Sequence, residues 1–394
     1  MNIATPPEPQ PATERWCIIG PTHPFRGGIP RHTALFADAV ASAGLNVKLV
    51  SFIRQYPQWL YKGHSDRDPN QVRGTVVHPD YQLDSLAPHT WWRAARVIDQ
   101  HAPDVVVVIW WHPFFAPMVS SLLTSVRRHR PGAVRIALCH NVLPHETSRA
   151  DRSLTRLALS RADGLVIQAS SQEPVVRDLL GNVPVLLTPH PTYMLDRPRR
   201  TGPRRLSDDV VHLLFFGLIR EYKGLDLLLR ALPRVLEQRR VRLVVAGEFW
   251  DPIERYIELI RELDLEQLVD LREGYVPDGE LPRLFDDADL MVAPYQTATQ
   301  SGVVEMAFGA GVPVIASDVG GLAEQVDSGV NGLLVPPNDQ GALSRAVVEA
   351  TEPATLDRLT AGARAPGTVH TWDRLADDIK KFAATLRAES GDLL

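Results

Sequence analysis

Short apolar segments alternate with helix-like stretches along almost the whole of this 394-residue chain. Parallel strands joined by crossover helices produce this alternation, because each such strand is covered on both faces. The pattern therefore predicts an α/β fold. The predicted strands lie at 16–19, 47–52, 105–110, 135–139, 164–169 and 185–188 in the first half, and at 211–216, 242–246, 269–271, 290–292, 314–316 and 333–335 in the second.

A segment rich in proline, arginine and aspartate, RPRRTGPRRLSDD at 197–209, has no apolar period and is predicted to be a linker. It separates an N-terminal domain at 15–196 from a C-terminal domain at 210–371. A proline-rich tail at 1–14 is predicted to be disordered, and an amphipathic helix within 372–394 is expected to pack back on the N-terminal domain. Two doubly wound, Rossmann-like sheets would then face a central cleft, where such folds bind ligands.

Charge, cysteine content and hydropathy narrow the class of protein. The net charge of −5 offers no basic field, so nucleic acid is not an expected partner. The two cysteines, Cys17 and Cys139, have no metal-ligand spacing and suit a reducing cytoplasm. The longest apolar run, at 105–111, is too short to span a bilayer. We expect a cytoplasmic protein. The basic stretch VRRHR at 126–130 has two explanations: a solvated helix end, which is favoured, and a weak contact with the inner membrane face.

Two cations follow the first predicted strand of the C-terminal domain. In FFGLIREYKGLDLLLRAL, Arg220 and Lys223 lie between that strand and a helix that Gly224 opens. Cationic side chains beside the free N–H groups of a helix N-terminus can bind a diphosphate. The alternative is a pair of solvated loop charges.

A second segment, PYQTATQSGVVEMAFGAGVPVIASDVGGLAEQV at 294–326, resembles the nucleotide-sugar site of retaining glycosyltransferases of family 4, which have the GT-B fold. The resemblance covers 294–337 and the Arg220/Lys223 segment closely, and the N-terminal domain more loosely. It implies a retaining enzyme that moves a hexose-type sugar from a nucleotide-diphosphate sugar to a hydroxyl of a glycan, lipid-linked or small-molecule acceptor, with no metal ion or other cofactor. A nucleotide-sugar epimerase on the same fold and a non-catalytic nucleotide-sugar-binding subunit remain alternatives.

The resemblance also implies roles for individual residues of the donor site. Glu305 matches the carboxylate that binds the donor ribose, whereas Thr297 stands where the family has another glutamate that contacts the sugar. This departure puts the role of that carboxylate in doubt. The backbone N–H groups of the YQTATQSG segment, at Gly302 and Val303, are expected to contact the diphosphate or sugar instead. The implied donor-binding residues are Gly27, Gly28, Tyr275, Val276, Thr297, Thr299, Ser301, Gly302, Val303 and Glu305.

The N-terminal domain is expected to present the acceptor. His112 follows the strand at 105–110 and is predicted to join Arg220 and Lys223 in catalysis, with a structural histidine that caps the loop as the alternative. The next strand ends in CHNVLPHE, a polar cluster whose loop lacks secure metal-ligand geometry, so no metal is expected there. The candidate acceptor-binding residues are Trp59, Tyr61, His140, Asn141 and His145.

Overall fold

The computed structural model describes residues 13–57, 65–68, 75–144, 147–195, 210–365 and 370–391. They form two α/β domains, each built on one parallel sheet flanked by helices. The α/β class predicted from the alternation is confirmed. The predicted linker at 197–209 and residues 1–12 of the predicted N-terminal tail lie outside the described residues.

The N-terminal sheet has seven strands in the order β3-β2-β1-β4-β5-β6-β7. Strands β4 and β5 lie between β1 and β6, and both are buried along their whole length. The strands are β1 (Arg15–Ile19), β2 (Asn46–Arg54), β3 (Pro79–Asp84), β4 (Val105–Trp110), β5 (Val134–Cys139), β6 (Gly164–Ile167) and β7 (Val185–Leu187).

Strand β3 was missing from the strands predicted from the sequence. Its segment, PDYQLD, buries only Leu83 and lies at the edge of the sheet beside β2. An edge strand has a single neighbour and tolerates polar residues, so it lacks the apolar run by which the interior strands were found.

Five helices longer than one turn accompany this sheet among the described residues. Helix α4 begins with a capping box in which Ser148 and Asp151 each bond the other's backbone N–H. Helix α3 ends in exposed basic residues, which suit the negative end of the helix dipole. The helices are α1 (Gly28–Ser42), α2 (Pro88–His101), α3 (Ala116–His129), α4 (Arg149–Leu159) and α5 (Glu173–Leu180).

The C-terminal sheet has six strands in the order β10-β9-β8-β11-β12-β13. They are β8 (Val211–Phe216), β9 (Val241–Gly247), β10 (Val269–Glu273), β11 (Leu290–Ala293), β12 (Val314–Ser317) and β13 (Gly332–Val335). The accompanying helices are α6 (Leu225–Leu236), α7 (Ile253–Glu262), α8 (Leu281–Asp286), α9 (Gly302–Ala310), α10 (Gly320–Gln325), α11 (Gln340–Ala350) and α12 (Pro353–Ala363).

The last helix, α13 (Trp372–Gly391), returns to the N-terminal domain. Leu375, Ile379 and Leu386 are buried in the same hydrophobic core as strands β4 and β5. The ring of Phe382 packs so closely on Gly164 that a Cβ there would lie 2.6 Å from it. Helix α13 thus contributes to the N-terminal domain.

Both sheets reverse their strand order at one point, between β1 and β4 in the first and between β8 and β11 in the second. Doubly wound sheets bind ligands beyond the carboxyl ends of the strands at such a point. The loops that leave these strand ends are 20–27, 111–115, 217–224 and 294–301. They contain most of the residues predicted to act on the donor.

Within the described ranges, no helix combines the length and the apolar character that crossing a bilayer requires.

Candidate functional site

Lys223 lies in the loop after β8, where the C-terminal sheet reverses its order, and we call its surroundings at Gly217, Tyr295 and Val303 the Lys223 pocket. Its side chain is only 7% exposed, and its Nζ lies 5.1 Å from the ring centre of Tyr295. A Cβ built on Gly217 would be 3.1 Å from this Nζ and 3.2 Å from the Val303 side chain. The ammonium group therefore sits between the end of β8 and the first turn of α9.

The start of α9 supplies hydrogen-bond donors to the same pocket. Ser301 caps the helix by accepting from the Val304 N–H at 3.4 Å. Gly302 and Val303 carry the first N–H groups of the helix, which have no acceptor within it. These groups and the Lys223 ammonium make the pocket suited to an anion.

Lys223 carries an incompletely compensated charge. Burial lowers the pKa of its ammonium group, the neighbouring Arg220 lowers it further, and Tyr222 acts in the opposite direction. Among the described residues, no carboxylate lies within ion-pair distance of its Nζ. A bound anion would supply the missing counter-charge.

Arg220 occupies a more open position than Lys223. Its side chain is exposed and its guanidinium lies 5.0 Å from the ring centre of Trp250 and 5.7 Å from that of Tyr222. The two cations predicted from the sequence thus flank one loop, Lys223 at its buried end and Arg220 at its rim.

The glycine pair of the N-terminal domain faces this pocket across Tyr193. The Tyr193 hydroxyl donates to the Gly28 carbonyl at 3.2 Å. The same end of the ring faces Gly302, because a Cβ there would lie 3.2 Å from Tyr193 Cε2 and 3.8 Å from the hydroxyl oxygen. Gly27 has φ of 103°, and nothing lies within 4 Å of where its Cβ would be. The structure therefore brings Gly27, Gly28 and Gly302 to one cleft, with open space at Gly27.

Glu305 points toward the segment between the domains. Its Oε2 accepts from the Thr192 hydroxyl at 2.9 Å, and its Oε1 accepts from the Gln325 amide at 2.8 Å. The carboxylate is only 2% exposed. Its predicted role in ribose binding stays a prediction, and a ribose would have to share oxygens that already hold protein partners.

We expect Glu305→Gln to become more stable relative to the wild type as pH rises. Burial raises the pKa of Glu305 to about 7, against the opposing effect of the bonds from Gln325 and Thr192. A carboxyl group with a raised folded pKa contributes its full stability below the unfolded pKa and loses it as pH rises through about 7. The shift is equivalent to a change on the order of 3 kcal/mol.

Urea unfolding of Glu305→Gln and the wild type at pH 5 and pH 8 measures this change. The matched control is Glu266→Gln, which alters an exposed glutamate. A difference between Glu305→Gln and the wild type that stays constant with pH would contradict the expectation.

The loop YQTATQSG makes most of its side-chain contacts with the N-terminal domain. The Thr299 hydroxyl donates to the Asn141 side-chain oxygen. The Gln300 amide donates to the His140 carbonyl and to Gln168 Oε1, both at 3.3 Å. Thr297 is exposed. The Thr299 hydroxyl, predicted to reach the sugar, thus bonds to the N-terminal domain in this structure. Gln300 makes a second contact between the domains and was not among the predicted residues.

His112 lies at the end of β4, as predicted, and caps the short turn that follows. Its Nδ1 accepts from the Phe114 N–H at 3.1 Å. Burial lowers the pKa of His112, with Asp151 acting in the opposite direction. A neutral ring whose Nδ1 accepts carries its proton on Nε2. His112 therefore combines the loop-capping role with a free Nε2–H that could donate to a sugar hydroxyl.

The turn predicted to bind the nucleobase also contacts the N-terminal domain. The Tyr275 hydroxyl donates to Asp68 at 3.0 Å, and the Arg26 guanidinium lies 4.5 Å from the Tyr275 ring centre. Arg26 also approaches Glu248 at 3.8 Å. Val276 is half-buried beside them. Arg26 was not among the predicted site residues. Its position directly before Gly27, a glycine predicted to line the cleft, is the signal that could have identified it.

Three of the candidate acceptor residues, Trp59, Tyr61 and His145, lie outside the described residues. The other two, His140 and Asn141, follow β5 and reach the YQTATQSG loop. They lie at the boundary of the domains, close to the C-terminal loop that holds Thr299.

Comparison with known proteins identifies the C-terminal half of the chain. Residues 211–352 match the model of the family described as glycosyl transferases group 1. Over these residues the chain is similar to the group 1 glycosyltransferases. The predicted resemblance is confirmed at this level, while membership of family 4 and retention of configuration stay predictions.

Curated relatives carry glycosyltransferase names. A D-inositol 3-phosphate glycosyltransferase 1 of Catenulispora acidiphila is 29% identical over 70% of this chain and 71% of its own length. One from Geodermatophilus obscurus is 33% identical over 60% of this chain and 57% of its own. An uncharacterized glycosyltransferase of Methanocaldococcus jannaschii matches over 35% of each chain. In most of these alignments the chain spans less than two thirds of the relative's length.

Solved structures share the fold of both domains. Sucrose-phosphate synthase of Thermosynechococcus elongatus superposes with a TM-score of 0.72 at 18% identity, covering 95% of this chain and 100% of that one. Anabaena Alr3699/HepE in complex with UDP gives 0.65 at 17% identity, over 97% and 99% of the two chains. The GT-B architecture predicted for this chain is confirmed.

Proposed function

We propose that this chain transfers a sugar from a nucleotide-diphosphate donor to an acceptor hydroxyl, with retention of configuration and without a metal ion at the reacting centre. The observation that carries the proposal is the buried Lys223 ammonium. It lies beside Gly217 and the first turn of α9, with no carboxylate partner among the described residues. A diphosphate matches this pocket in charge and in its need for hydrogen-bond donors.

The donor would lie with its diphosphate between the two domains. Lys223 and the N–H groups of Gly302 and Val303 would bind it from the C-terminal side, and Arg220 would reach it from the rim. The open space at Gly27 lets the N-terminal backbone approach from the other side. We propose a uridine nucleotide, because the similar Alr3699/HepE structures are complexes with UDP and UDP-glucose.

The same cations would assist the chemical step. Negative charge grows on the departing nucleotide diphosphate as the bond to the sugar breaks, and a fixed ammonium group stabilises that charge in the transition state. At the position of the family's sugar-contacting glutamate this chain has the exposed Thr297. We propose a front-face route in which a leaving phosphate oxygen takes the acceptor proton, while His112 Nε2–H donates to a sugar hydroxyl.

The acceptor would enter from the N-terminal domain, near Asn141. The curated relatives named D-inositol 3-phosphate glycosyltransferases make a phosphorylated polyol the first acceptor to test. Weak contact of the exposed basic end of α3 with the inner membrane face is proposed only for a lipid-linked acceptor.

We expect UDP-sugars to raise the melting temperature of the chain more than GDP-, ADP- or TDP-sugars. A ligand at 100 times its Kd stabilises the folded state by about 2.7 kcal/mol. A thermal-shift series at one concentration measures the difference. Donor incubated without acceptor is the companion measurement, and rapid conversion to an epimer would contradict the transferase assignment.

Arg220→Ala should lower kcat/KM by about 10-fold, because an exposed charge-assisted bond to phosphate contributes about 1.5 kcal/mol. Initial rates with the donor chosen by thermal shift test this. Arg345→Ala is the control, since Arg345 is an exposed arginine on the outer helix α11. Equal rates for Arg220→Ala and Arg345→Ala would remove Arg220 from the site.

A further inference from the structure

Three buried histidines meet behind the Gly302 turn. His32 lies in the second turn of α1, His140 follows β5, and His190 lies in the segment that leads out of the N-terminal domain. All three side chains are buried. The ring centre of His32 lies 4.5 Å from that of His140 and 5.2 Å from that of His190. One nitrogen from each ring lies within 4.8 Å of the other two.

Each ring uses one nitrogen on the protein and leaves another available. His32 Nε2 lies 3.3 Å from the Gln168 amide, and His140 Nδ1 lies 3.5 Å from the Gln300 amide. His190 Nδ1 lies 2.7 Å from the Pro191 carbonyl and must donate to it, so its Nε2 carries a lone pair.

Two of the remaining nitrogens, His32 Nδ1 and His140 Nε2, are buried without a hydrogen-bond partner among the described residues. A buried polar atom left unsatisfied costs about 1–3 kcal/mol. Two such atoms in one cluster call for a shared ligand.

We propose that His32, His140 and His190 bind one late first-row transition-metal ion, with Zn²⁺ as the first candidate, at a structural site that adjoins the Gly302 turn of the donor pocket. Imidazole nitrogen suits zinc, copper, nickel and iron, whereas magnesium and calcium prefer oxygen ligands. The site goes beyond the proposed transfer reaction, which needs no metal ion.

The spacing of the ring nitrogens is compatible with coordination after a small movement. For three atoms no more than 4.8 Å apart, a common point lies within about 2.8 Å of each. Zinc–nitrogen bonds are about 2.0–2.1 Å long. Each ring would therefore shift inward by less than about 1 Å, and the fourth position would remain for water.

The surrounding amides match what metal-bound histidines require. A ligating ring usually donates its other N–H to an oxygen, which fixes its tautomer. With His32 bound through Nδ1 and His140 through Nε2, the Gln168 and Gln300 amides would turn end for end. This would place Gln168 Oε1 on His32 Nε2–H and Gln300 Oε1 on His140 Nδ1–H, and it would give up the bond from Gln300 to the His140 carbonyl. The Gln168 amide would then donate to Gln300 Oε1. His190 already donates to Pro191.

Protonation does not compete with a metal ion at neutral pH. Burial, the largest cause, lowers the pKa of His140 to about 3 and that of His190 to about 4. It also lowers the pKa of His32 well below its ordinary value, as do the other two histidines. Burial therefore favours the neutral form of the three rings, the form that binds a metal ion.

The decisive experiment loads the untagged full-length chain with Zn²⁺ after treatment with a chelator. We expect one ion per chain after desalting, and a higher melting temperature with Zn²⁺ than with Mg²⁺. His190→Ala should weaken Zn²⁺ binding by at least about 100-fold in calorimetry, because it removes a direct ligand. His89→Ala, which alters an exposed histidine of α2, is the matched control and should bind as the wild type does.

A wild-type chain that is folded and keeps less than half an ion of Zn²⁺ would overturn the proposal. Equal Zn²⁺ affinity in His190→Ala and His89→Ala would overturn it as well. Should His190→Ala fail to fold, X-ray absorption of the zinc-loaded wild type decides, since the site requires three imidazole ligands. None of these readouts depends on donor turnover, so they stand apart from any failure of the proposed function.

Discussion

Replacing Lys223 by methionine should lower turnover by about 10²–10³-fold, the loss seen when one fixed transition-state donor is removed, while leaving the chain at least as stable as the wild type. The two effects have one cause. The Lys223 ammonium is buried and has no carboxylate partner among the described residues, so it destabilises the folded chain that lacks a ligand. Methionine fills a similar volume without charge.

The stability effect has a defined dependence on pH. Burial lowers the folded pKa of Lys223 below its ordinary value of 10.5, so the unfolded chain binds more protons between the two pKa values. The wild type therefore gains stability as pH rises through this window. The advantage of Lys223→Met should be largest near neutral pH and should shrink toward pH 10.5.

Steady-state rates and urea unfolding of the same preparations test both effects. Lys381→Met is the control, because Lys381 is exposed on α13 and the same exchange there should change neither quantity. A Lys223→Met variant with wild-type turnover would show that the pocket does not act on the departing diphosphate. A strongly destabilised variant would show that the ammonium contributes to the fold instead.

Gly224→Ala is expected to destabilise the chain by more than about 3 kcal/mol, the range of severe single substitutions. Gly224 has φ of 69° and lies where the turn with Lys223 meets α6. A Cβ at this position would lie 2.2 Å from the Pro294 carbonyl oxygen, which belongs to the backbone of the other donor loop. Neither segment can yield without displacing Lys223, so the donor affinity should fall as well.

The control for Gly224→Ala separates backbone strain from the clash. Gly44 has φ of 80°, and nothing lies within 4 Å of the position of its Cβ. Gly44→Ala should therefore cost only about 1 kcal/mol. Urea unfolding of the two variants gives the comparison. Equal losses would mean that the approach of Gly224 to Pro294 carries no cost of its own.

The positions of the cations could be read from the sequence because they depend on local structure. Lys223 follows a strand and precedes a helix, and a doubly wound sheet places such a loop at the carboxyl edge whatever the rest of the chain does. The same reasoning placed His112 at a strand end and the Gly27–Gly28 pair between a strand and a helix, and the structure has His112 directly after β4 and the glycine pair at the start of α1.

The contacts of these residues could not be read from the sequence. The side chain of Glu305 accepts from Thr192 and Gln325, which lie 113 and 20 residues away in the chain. Thr299 and Gln300 meet Asn141 and His140 across the boundary of the domains. Strand β3 went unnoticed because an edge strand carries little apolar signal.

Hydrophobic periodicity and strand-end turns are local properties, so the α/β class, the interior strands and the loops that hold the donor residues could be predicted from the amino-acid sequence. The way the domains meet could be learned only from the folded chain, which shows the partners of Glu305, the position of Arg26 over Tyr275 and the convergence of three histidines. The physical reason is that hydrogen bonds and burial between distant segments leave no periodic trace in either segment alone.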